Sequence, residues 1–227
     1  MRGVRRACEK EILDEGHVPE HLVDRAYAEV TRIHALLGDT RAIVRAIRRD
    51  PLPVRRVLDI GCAYGGVLGD VRRALRVEVI GIDVAPPGRA SCPILRADAT
   101  CDPLPEADVA FCMHMGHHLA EADLIALIRN VGRSCRRFLL MDLVRHPLPL
   151  GLFRAFVAPF VSPITAADGL LSVRKAYDVA EMKALVAAAL FGSGATARHS
   201  VAPLFVRQMA DIRYGVTPTT PTAAAVS

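Results

Sequence analysis

The chain has 227 residues and a formal net charge of +5, and 52% of its residues are hydrophobic. This length suits one α/β domain with an appended element, and the apolar fraction is sufficient for a buried core. Only three of the 29 basic residues are lysine, and arginine pairs are spread along the whole chain. Aromatic residues make up only 5% of the chain, so the composition argues against a nucleic-acid-binding face.

The cysteines and apolar runs indicate the compartment in which the protein works. The six cysteines form no C-x-x-C pair, and four of them fall in or beside predicted buried strands, as expected of reduced thiols in the cytoplasm. Acids rather than an apolar segment follow the first six residues, so no signal peptide is predicted. The longest apolar stretch, 148–164, contains Arg154 and several prolines, and it predicts no membrane span.

Two helices are predicted before the first strand. Apolar residues recur at helical spacing over 21–37 and over 40–49, and Gly38-Asp39-Thr40 provides a stop and a new cap between them. Residues 1–54 are therefore predicted to form an N-terminal helical cap. The two helices either form one wall of a binding pocket or only cover a face of the sheet.

A predicted buried strand and a glycine-rich turn come next. Val57-Leu58-Asp59-Ile60 runs directly into Gly61-Cys62-Ala63-Tyr64-Gly65-Gly66, with an acid where the strand ends. A dinucleotide-binding turn has the pattern G-x-G-x-x-G, whose middle glycine lets a pyrophosphate approach the backbone. Ala63 occupies that middle position, and the pattern present is instead D-x-G-x-x-x-G.

This pattern resembles the first motif of the class I S-adenosylmethionine-dependent methyltransferases. The resemblance implies that Gly61, Cys62, Ala63 and Gly65 hold the methionine end of S-adenosylmethionine. It also implies that Asp59 helps to bind the amino group of that cofactor.

The next two predicted strands also end in acids. Residues 77–83 form a β-branched run ending at Asp83, about 20 residues after the glycine turn, where a carboxylate can accept both ribose hydroxyls. Asp83 fits NAD as well as S-adenosylmethionine, and Val84 is predicted as a neighbouring contact. The run 92–99 resembles the third motif of the family, which implies that Asp98 accepts from the adenine amino group and that the Ala99 backbone faces the ring.

The segment 104–119 resembles the fourth motif of the same family. It has a Leu-Pro approach, an acid opening a buried strand, and a closing His-His-Leu. The resemblance implies that Cys112 and Met113, at the end of this strand, lie beside the reactive sulfonium.

Three histidines follow that strand. His114 and His118 have the i, i+4 spacing of helical metal ligands, but no Glu follows the first histidine and no partner cluster is evident, so no metal site is predicted. His117 is predicted to be a general base, because an imidazole of near-neutral pKa at the cofactor site can take a proton from a hydroxyl. The alternative is that these histidines only cap and pack the loop.

A helix over 121–131 and a fifth strand with its exit over 137–146 are predicted next. The Asp-Leu-x-Arg-His ending resembles bacterial small-molecule methyltransferases, including ones found beside polyketide biosynthesis enzymes. Arg145 is predicted to hold an acidic acceptor and His146 to relay a proton, with solvated loop residues as the alternative.

The segment 147–168 combines four prolines with many apolar residues. It is predicted to form a short lid helix that closes a lipophilic acceptor pocket, with Phe153 and Phe156 facing the acceptor. A homodimer contact or a membrane-surface patch would have the same composition.

The end of the domain is predicted to be a helix followed by a hairpin. Asp178 caps a helix through about residue 190, and strands over 196–201 and 204–210 flank Ala202-Pro203. A terminal antiparallel hairpin distinguishes the class I methyltransferase fold from a dehydrogenase domain. Residues 55–214 are thus predicted to form the methyltransferase domain, and 215–227, rich in Thr, Pro and Ala, a disordered tail.

The predicted fold is a Rossmann-like three-layer α/β sandwich with a mostly parallel seven-stranded sheet. The resemblance implies methyl transfer by in-line displacement from S-adenosylmethionine to a small, lipophilic acceptor, with O-methylation favoured over C- or N-methylation. Two alternatives remain: a module that binds the cofactor without turnover, and an NAD-linked oxidoreductase.

Overall fold

The computed structural model of the protein describes residues 4–86, 90 and 92–215. The predicted disordered tail lies outside the described residues, apart from Gly215. Seven strands form one sheet: β1 Arg56–Ile60, β2 Glu78–Asp83, β3 Ile94–Arg96, β4 Ala107–Met113, β5 Cys135–Asp142, β6 Thr196–Val201 and β7 Gln208–Arg213. The α-helices are α1 Glu20–Leu37, α2 Asp39–Arg48, α3 Gly66–Leu75, α4 Glu121–Ser134, α5 Pro147–Phe156, α6 Pro163–Lys175 and α7 Val179–Leu190.

The sheet has the strand order β3-β2-β1-β4-β5-β7-β6. Strands β1 to β5 are parallel, whereas β7 is antiparallel to both β5 and β6. This confirms the predicted mostly parallel sheet with a terminal antiparallel hairpin. The order reverses between β1 and β4, so a crevice opens beyond the carboxyl ends of these two strands, where ligands of open α/β sheets bind.

Helices cover both faces of the sheet and create two apolar cores. On one face, α2 and α3 contribute Ile43, Ile47 and Leu68 to a cluster with β1, β4 and β5. On the other face, α4 and α7 pack Leu124 and Val186 against the same strands. Because each helix buries one apolar stripe and each inner strand is covered on both sides, the result is the predicted three-layer sandwich.

Both predicted N-terminal helices are present. Gly38 ends α1 with a φ of 72°, a left-handed conformation that glycine adopts without a Cβ clash. The predicted new cap is absent, because the Asp39 side chain makes no capping hydrogen bond and is fully buried. Helix α1 contacts α6, so the N-terminal helices reach across the carboxyl edge of the sheet.

The segment 147–168 differs from the single short lid helix that the sequence predicts. It contains α5, a 3-10 turn at Ala158–Phe160 and the start of α6, which continues to Lys175. Pro147 and Pro163 stand in the first turns of α5 and α6, where a missing N–H breaks no intrahelical bond. The prolines therefore open helices here instead of ending one.

The terminal hairpin is shifted relative to its predicted position. A 3-10 turn occupies Pro203–Phe205, and β7 begins only at Gln208, because Leu204 and Phe205 both have positive φ and cannot continue a ladder. Strand β5 ends at Asp142, before the predicted exit residues. Among the described residues, no helix combines the length and the apolarity needed to cross a bilayer.

Candidate active site

Two adjoining cavities lie at the carboxyl edge of the sheet. The larger has a volume of about 540 Å³ and extends from the ends of β1, β2 and β3 to the inner sides of α1 and α6. The smaller, about 380 Å³, lies beside the end of β1 and the start of α3. The two share the lining residues Tyr27, Val30, His34, Gly61, Ala63 and His114. Their common border therefore runs along the glycine turn.

The glycine turn presents its backbone to both cavities. Gly61 has a φ of 72°, and a Cβ there would lie 2.8 Å from Met115 Cγ. Ala63 also has a positive φ, and its N–H donates to Asp83 Oδ2 at 2.9 Å. Position 61 thus requires glycine, and the turn is fastened to the end of β2.

Asp59 lies at the end of β1 on the wall of the smaller cavity. Its side chain is buried, with 3% of the residue exposed, and among the described residues no group donates a hydrogen bond to it. Burial, with a further contribution from the charge of Asp83, raises the pKa of Asp59 well above its usual value. A cation bound in this cavity would supply the missing partner.

Asp83 and Asp98 lie on the wall of the larger cavity. Asp83 Oδ1 accepts the Ala85 N–H at 2.9 Å, which fixes the carboxylate at the strand end. Asp98 Oδ1 accepts the hydroxyl and the N–H of Thr100 at 2.7 and 2.9 Å, and these bonds lower the pKa of Asp98. Both carboxylates are therefore held in fixed orientations at the cavity edge.

Most of the predicted cofactor contacts do reach the cavities. Asp59, Cys62 and Met113 line the smaller one, Gly61 and Ala63 line both, and Asp83, Val84, Asp98 and Ala99 line the larger. Two predicted contacts line neither. Gly65 is buried at the start of α3, and Cys112 is fully buried in the core. The expectation for Cys112 is corrected because the residue alternates with Met113, and only one of the two can face the cavity.

His117 lies in a 3-10 turn after β4 and lines the larger cavity. Its Nδ1 is 2.7 Å from Asp142 Oδ1, and its Nε2 is 3.7 Å from Glu11 Oε1. Burial opposes a charge on the ring, but the carboxylates of Asp142 and Glu11 outweigh it and raise the pKa of His117 to about 9. The near-neutral pKa assumed for a general base is therefore not found.

His114 belongs to a separate polar group and not to a helix shared with His118. His34 Nδ1 and His114 Nε2 lie 2.8 and 3.0 Å from the same atom, Asp39 Oδ2, and the two rings stack. Arg207 binds the other oxygen of Asp39. These contacts hold the pKa of Asp39 far below its usual value although burial acts in the opposite direction. His114 has a φ of 55°, so its i, i+4 spacing to His118 does not place the two histidines on one helix.

Of the four predicted acceptor contacts, only Phe153 lines the larger cavity. Arg145 instead binds the Val4 carbonyl at 2.9 Å and Glu181 Oε1 at 2.6 Å, and these two bonds tie the N-terminal segment to α7. His146 accepts the Leu148 N–H at the start of α5 and stacks on the Phe205 ring. Phe156 is 71% exposed. The structure thus places Arg145, His146 and Phe156 outside the cavity.

The N-terminal segment supplies cavity residues that the sequence did not single out. Glu11, Leu13 and Asp14 line the larger cavity. The segment is held by the carboxylate of Asp168 on α6, which accepts the N–H groups of residues 12 and 13 at 2.8 and 3.1 Å. A 3-10 turn at Ile12–Glu15 has no amphipathic period, so only long-range contacts reveal its role.

Comparisons with known proteins agree with this geometry. Residues 58–138, from β1 to the start of β5, match the family model described as a methyltransferase domain. No curated protein matches the chain.

Several solved methyltransferases share the fold. The plantazolicin methyltransferase BpumL in complex with S-adenosylhomocysteine has a TM-score of 0.66 and 10% identity, over 90% of this chain and 94% of that one. The plantazolicin methyltransferase BamL, with a triazolic desmethylPZN analogue and S-adenosylhomocysteine, has a TM-score of 0.64 and 14% identity, over 86% and 91%. The mitomycin 7-O-methyltransferase MmcR has a TM-score of 0.50 and 20% identity, over 71% of this chain and 49% of that one. Residues 58–138 thus match a methyltransferase domain, and the chain shares its fold with methyltransferases solved in complex with S-adenosylhomocysteine.

Proposed function

We propose that the protein transfers a methyl group from S-adenosylmethionine to a small, mainly apolar acceptor in the larger cavity, with O-methylation favoured. The observation that carries this proposal is the continuity of the site. The cavity beside Asp59 adjoins a larger one that holds Asp83 and Asp98 at one end and an apolar wall at the other. Its volume of about 540 Å³ is in the range of small-molecule sites.

The residues at the strand ends fit the cofactor. Asp59 is a buried carboxyl that lacks a donor among the described residues, so a cationic amino group would satisfy it. We propose that Gly61 and Ala63 offer bare backbone to the methionine end, Asp83 accepts the ribose hydroxyls, and Asp98 accepts from the adenine amino group. When bound, S-adenosylmethionine supplies a methyl group already activated by the sulfonium.

We propose that the acceptor lies against the apolar wall of the larger cavity. This wall consists of Leu13, Val30, Ile33, Leu37, Phe153 and Val173, which come from the N-terminal segment, α1, α5 and α6. An enclosed apolar wall excludes water and aligns the acceptor with the methyl group. Alignment of this kind can lower the barrier by about 7–11 kcal/mol. Residues 1–54 and 147–168 thus form the acceptor side of a methyltransferase domain spanning 55–214.

We propose that His117 contacts the acceptor and not the cofactor. It lines the larger cavity, and its Nε2 has no hydrogen-bond partner among the described residues. Its other ring nitrogen is fixed by Asp142, which orients the imidazole. We therefore propose that His117 lies beside the oxygen that receives the methyl group, although its raised pKa argues against a role as the general base.

The names of similar proteins support this choice of acceptor. Two are plantazolicin methyltransferases and one is a mitomycin 7-O-methyltransferase, which favours a natural product and an oxygen as the methylated atom. Cys112 and Cys135 are buried free thiols, which supports a reducing, cytoplasmic location.

Calorimetry with S-adenosylhomocysteine and with NADH tests the cofactor assignment. We expect micromolar or tighter binding of S-adenosylhomocysteine and none of NADH. Asp83→Ala should weaken S-adenosylhomocysteine binding about 10–100-fold, because it removes a charged acceptor. His117→Ala should leave that binding nearly intact, and so should the surface control Asp70→Ala.

Turnover is tested by incubating S-adenosylmethionine with a panel of small phenolic and polyketide compounds and detecting methylated products by mass spectrometry. Binding of NADH in place of S-adenosylhomocysteine would support the oxidoreductase. Binding of S-adenosylhomocysteine without methylation of any panel member would favour a cofactor-binding module.

A further inference from the structure

Three side chains on the acceptor side of the larger cavity converge on one point. Glu11 Oε1 lies 3.7 Å from His117 Nε2 and 3.7 Å from His118 Nε2. The two imidazole rings lie side by side with their centroids 4.3 Å apart. All three residues line the cavity, and their ligand atoms lie within 4.8 Å of one another. We refer to this group as the Glu11–His117–His118 cluster.

Carboxylates hold the outer nitrogen of both histidines. His117 Nδ1 is 2.7 Å from Asp142 Oδ1, and His118 Nδ1 is 3.2 Å from Asp14 Oδ2. In a neutral ring whose Nδ1 donates its proton to a carboxylate, the Nε2 atom carries the lone pair, and for His117 a bound ion would first displace the proton that its raised pKa retains. Metal-binding histidines are oriented by the same arrangement of a carboxylate on the outer nitrogen. In this cluster both Nε2 atoms lie on the side of Glu11.

The separations within the cluster suit an ion better than hydrogen bonds. A distance of 3.7 Å is too long for a hydrogen bond, and His117 Nε2 is buried without a partner among the described residues. Ligand atoms bound about 2.0–2.2 Å from a single metal ion lie roughly 3.0–3.5 Å apart. The two separations of 3.7 Å from Glu11 Oε1 would need to shorten by a few tenths of an ångström, and all three ligand atoms already lie within 4.8 Å of one another.

The second histidine group of the cavity differs in its hydrogen bonds. His34 Nδ1 and His114 Nε2 are both at hydrogen-bond distance from Asp39 Oδ2, and Arg207 binds the other oxygen of Asp39. His114 Nδ1 is buried without a partner among the described residues, but an ion held by Asp39 would have to break these hydrogen bonds.

Lys175 is the one cation that lies against the Glu11–His117–His118 cluster among the described residues. Its Nζ is 3.3 Å from Glu11 Oε1 and 3.3 Å from His118 Nδ1. The carboxylates of Glu11, Asp14 and Asp142 face this ammonium group and the His117 ring, whose pKa is raised to about 9. A divalent cation would therefore replace a proton on His117 and compete with Lys175 for Glu11.

We propose that the Glu11–His117–His118 cluster binds one divalent transition metal ion of the Zn²⁺ type in the acceptor cavity. Two imidazole nitrogens and one carboxylate leave coordination positions open, as in catalytic metal sites. This replaces the prediction of no metal site, which considered His114 and His118 but not Glu11, more than 100 positions away in the sequence.

The role of the ion rests on the proposed function, whereas its binding does not. An acceptor hydroxyl on the ion releases its proton to solvent more readily, because the metal stabilises the oxyanion. The oxygen then forms a bond to the methyl carbon with its own electron pair. The carbon–sulfur bond breaks with its pair remaining on sulfur, which gives a methyl ether, S-adenosylhomocysteine and one released proton. The acceptor class is thus an alcohol, phenol or enol.

Metal titration of the full chain after chelator treatment tests the site directly. Calorimetry with Zn²⁺ alone should show one ion per chain with a Kd of 1 μM or below, and Co²⁺ should give visible absorption bands of a nitrogen- and oxygen-ligated ion. Glu11→Gln and His118→Asn should weaken Zn²⁺ binding at least tenfold. Lys175→Met should tighten it severalfold, because the competing ammonium is removed.

His34→Asn is the matched control, since it alters a cavity histidine of the other group and should leave Zn²⁺ affinity unchanged. His118 is partly exposed, so His118→Asn should keep the fold, which circular dichroism checks. The absence of stoichiometric Zn²⁺ binding, or a loss that follows His34→Asn but not His118→Asn, overturns the site. Calorimetry with S-adenosylhomocysteine on the chelated chain separates the two proposals, because failure there refutes the proposed function and not the metal site.

Discussion

Asp59 is buried by folding without gaining a hydrogen-bond donor among the described residues. Its carboxyl group therefore costs stability when it ionises in the absence of a ligand. The same property prepares it to bind a cation, because a bound amino group both pairs with the carboxylate and removes that cost. If Asp59 binds the amino group of the cofactor as proposed, stability and binding make opposite demands on this residue.

Asp59→Asn is expected to make the ligand-free protein more stable than the wild type, by a margin that grows as pH rises. The folded-state pKa of Asp59 is raised, so the folded protein binds its proton more tightly than the unfolded chain does. The free energy of unfolding of the wild type therefore falls as pH rises above about 4, the usual pKa of Asp. Asparagine does not titrate, and at pH 8 the variant should be more stable by about 1–3 kcal/mol.

Urea unfolding at pH 5 and pH 8 measures this difference, and calorimetry should show S-adenosylhomocysteine binding weakened about 10–100-fold in the same variant. Asp70→Asn on the surface of α3 serves as the control. A variant that loses stability relative to the wild type as pH rises would contradict the assignment.

Helix α7 begins with a capping box that the sequence predicts in part, since Asp178 is recognisable as its N-cap. Asp178 Oδ1 accepts the N–H groups of Ala180 and Glu181 at 2.9 Å each. The Glu181 carboxylate in turn accepts the Asp178 N–H. This capping box satisfies N–H groups that have no intrahelical partner. The cap also holds α7 against α4, where its apolar side joins the core.

Asp178→Ala should lower the free energy of unfolding by about 1 kcal/mol, because both N–H groups lose their acceptor. Asp178→Asn should lower it by much less, since asparagine caps helices equally well. Thermal unfolding should show a decrease of roughly 2–4 °C for the alanine variant. An equal decrease for both variants would instead assign the effect to the contact between Asp178 and Arg145.

The N-terminal segment depends on a distant carboxylate. Asp168 on α6 accepts the N–H groups of Ile12 and Leu13, and it is 5% exposed. Asp168→Ala should speed hydrogen exchange at these two amides about 10–100-fold, because hydrogen bonds to charged groups contribute about 1.5–3 kcal/mol. Exchange measured by NMR at Leu58 in β1 should not change, and Asp168→Asn should give an intermediate effect. Exchange at residues 12 and 13 that Asp168→Ala leaves unaltered would show that other contacts hold the segment.

These elements also show which parts of the structure the sequence could predict. The parallel strands are local signals, so β1, β2 and β4 were predictable. Asp59, Asp83 and Asp98 lie on the cavity walls at the ends of such strands, and their contacts with the cofactor stay predictions. The cap of α7 was found because it is also a local signal. By contrast, Arg145 was predicted to reach the acceptor because it follows a strand end, but pairing with Glu181 across the fold takes it away.

The acceptor side could not be predicted because its contacts are long-range. Glu11 approaches His117 and Lys175 only once α6 has folded over the sheet edge. The sequence predicts one short helix in segment 147–168, because prolines usually end helices. In the structure Pro147 and Pro163 begin two helices instead. Such positions need three-dimensional contacts, since a single chain carries no periodic pattern for them.

At the scale of the whole molecule, one buried ionic group links α2 and the terminal hairpin to the central sheet. Arg137 on β5 is 2% exposed and binds both oxygens of Asp211 on β7 at 2.8 and 2.7 Å. It also binds Asp50 Oδ2 at 2.9 Å and the Ala46 carbonyl at 3.0 Å, after and within α2. One guanidinium group therefore joins the N-terminal helices, the central sheet and the terminal hairpin.

Arg137→Met should destabilise the protein by about 3–5 kcal/mol at pH 7, because Asp211 would lose its cation and the buried Asp50 would lose one of its two close arginine partners, keeping Arg136. Arginine partners lower the pKa of Asp50 although burial opposes this. The stability that this carboxylate contributes is thus present above about pH 4 and is lost as pH falls through its lowered folded pKa. Below that range Asp50 is neutral, the variant no longer leaves this carboxylate with one arginine partner fewer, and the difference between the two proteins should shrink.

Urea unfolding of wild type and Arg137→Met from pH 3 to pH 8 tests this dependence, with Arg45→Met on the exposed side of α2 as the matched control. The control should change stability by less than about 0.5 kcal/mol at every pH. A loss in Arg137→Met that stays constant down to pH 3 would mean that the arginine acts through its packing against the core and not through its charge. A loss that disappears in acid, with the control unaffected, would establish that paired charges join α2 and the terminal hairpin to the sheet.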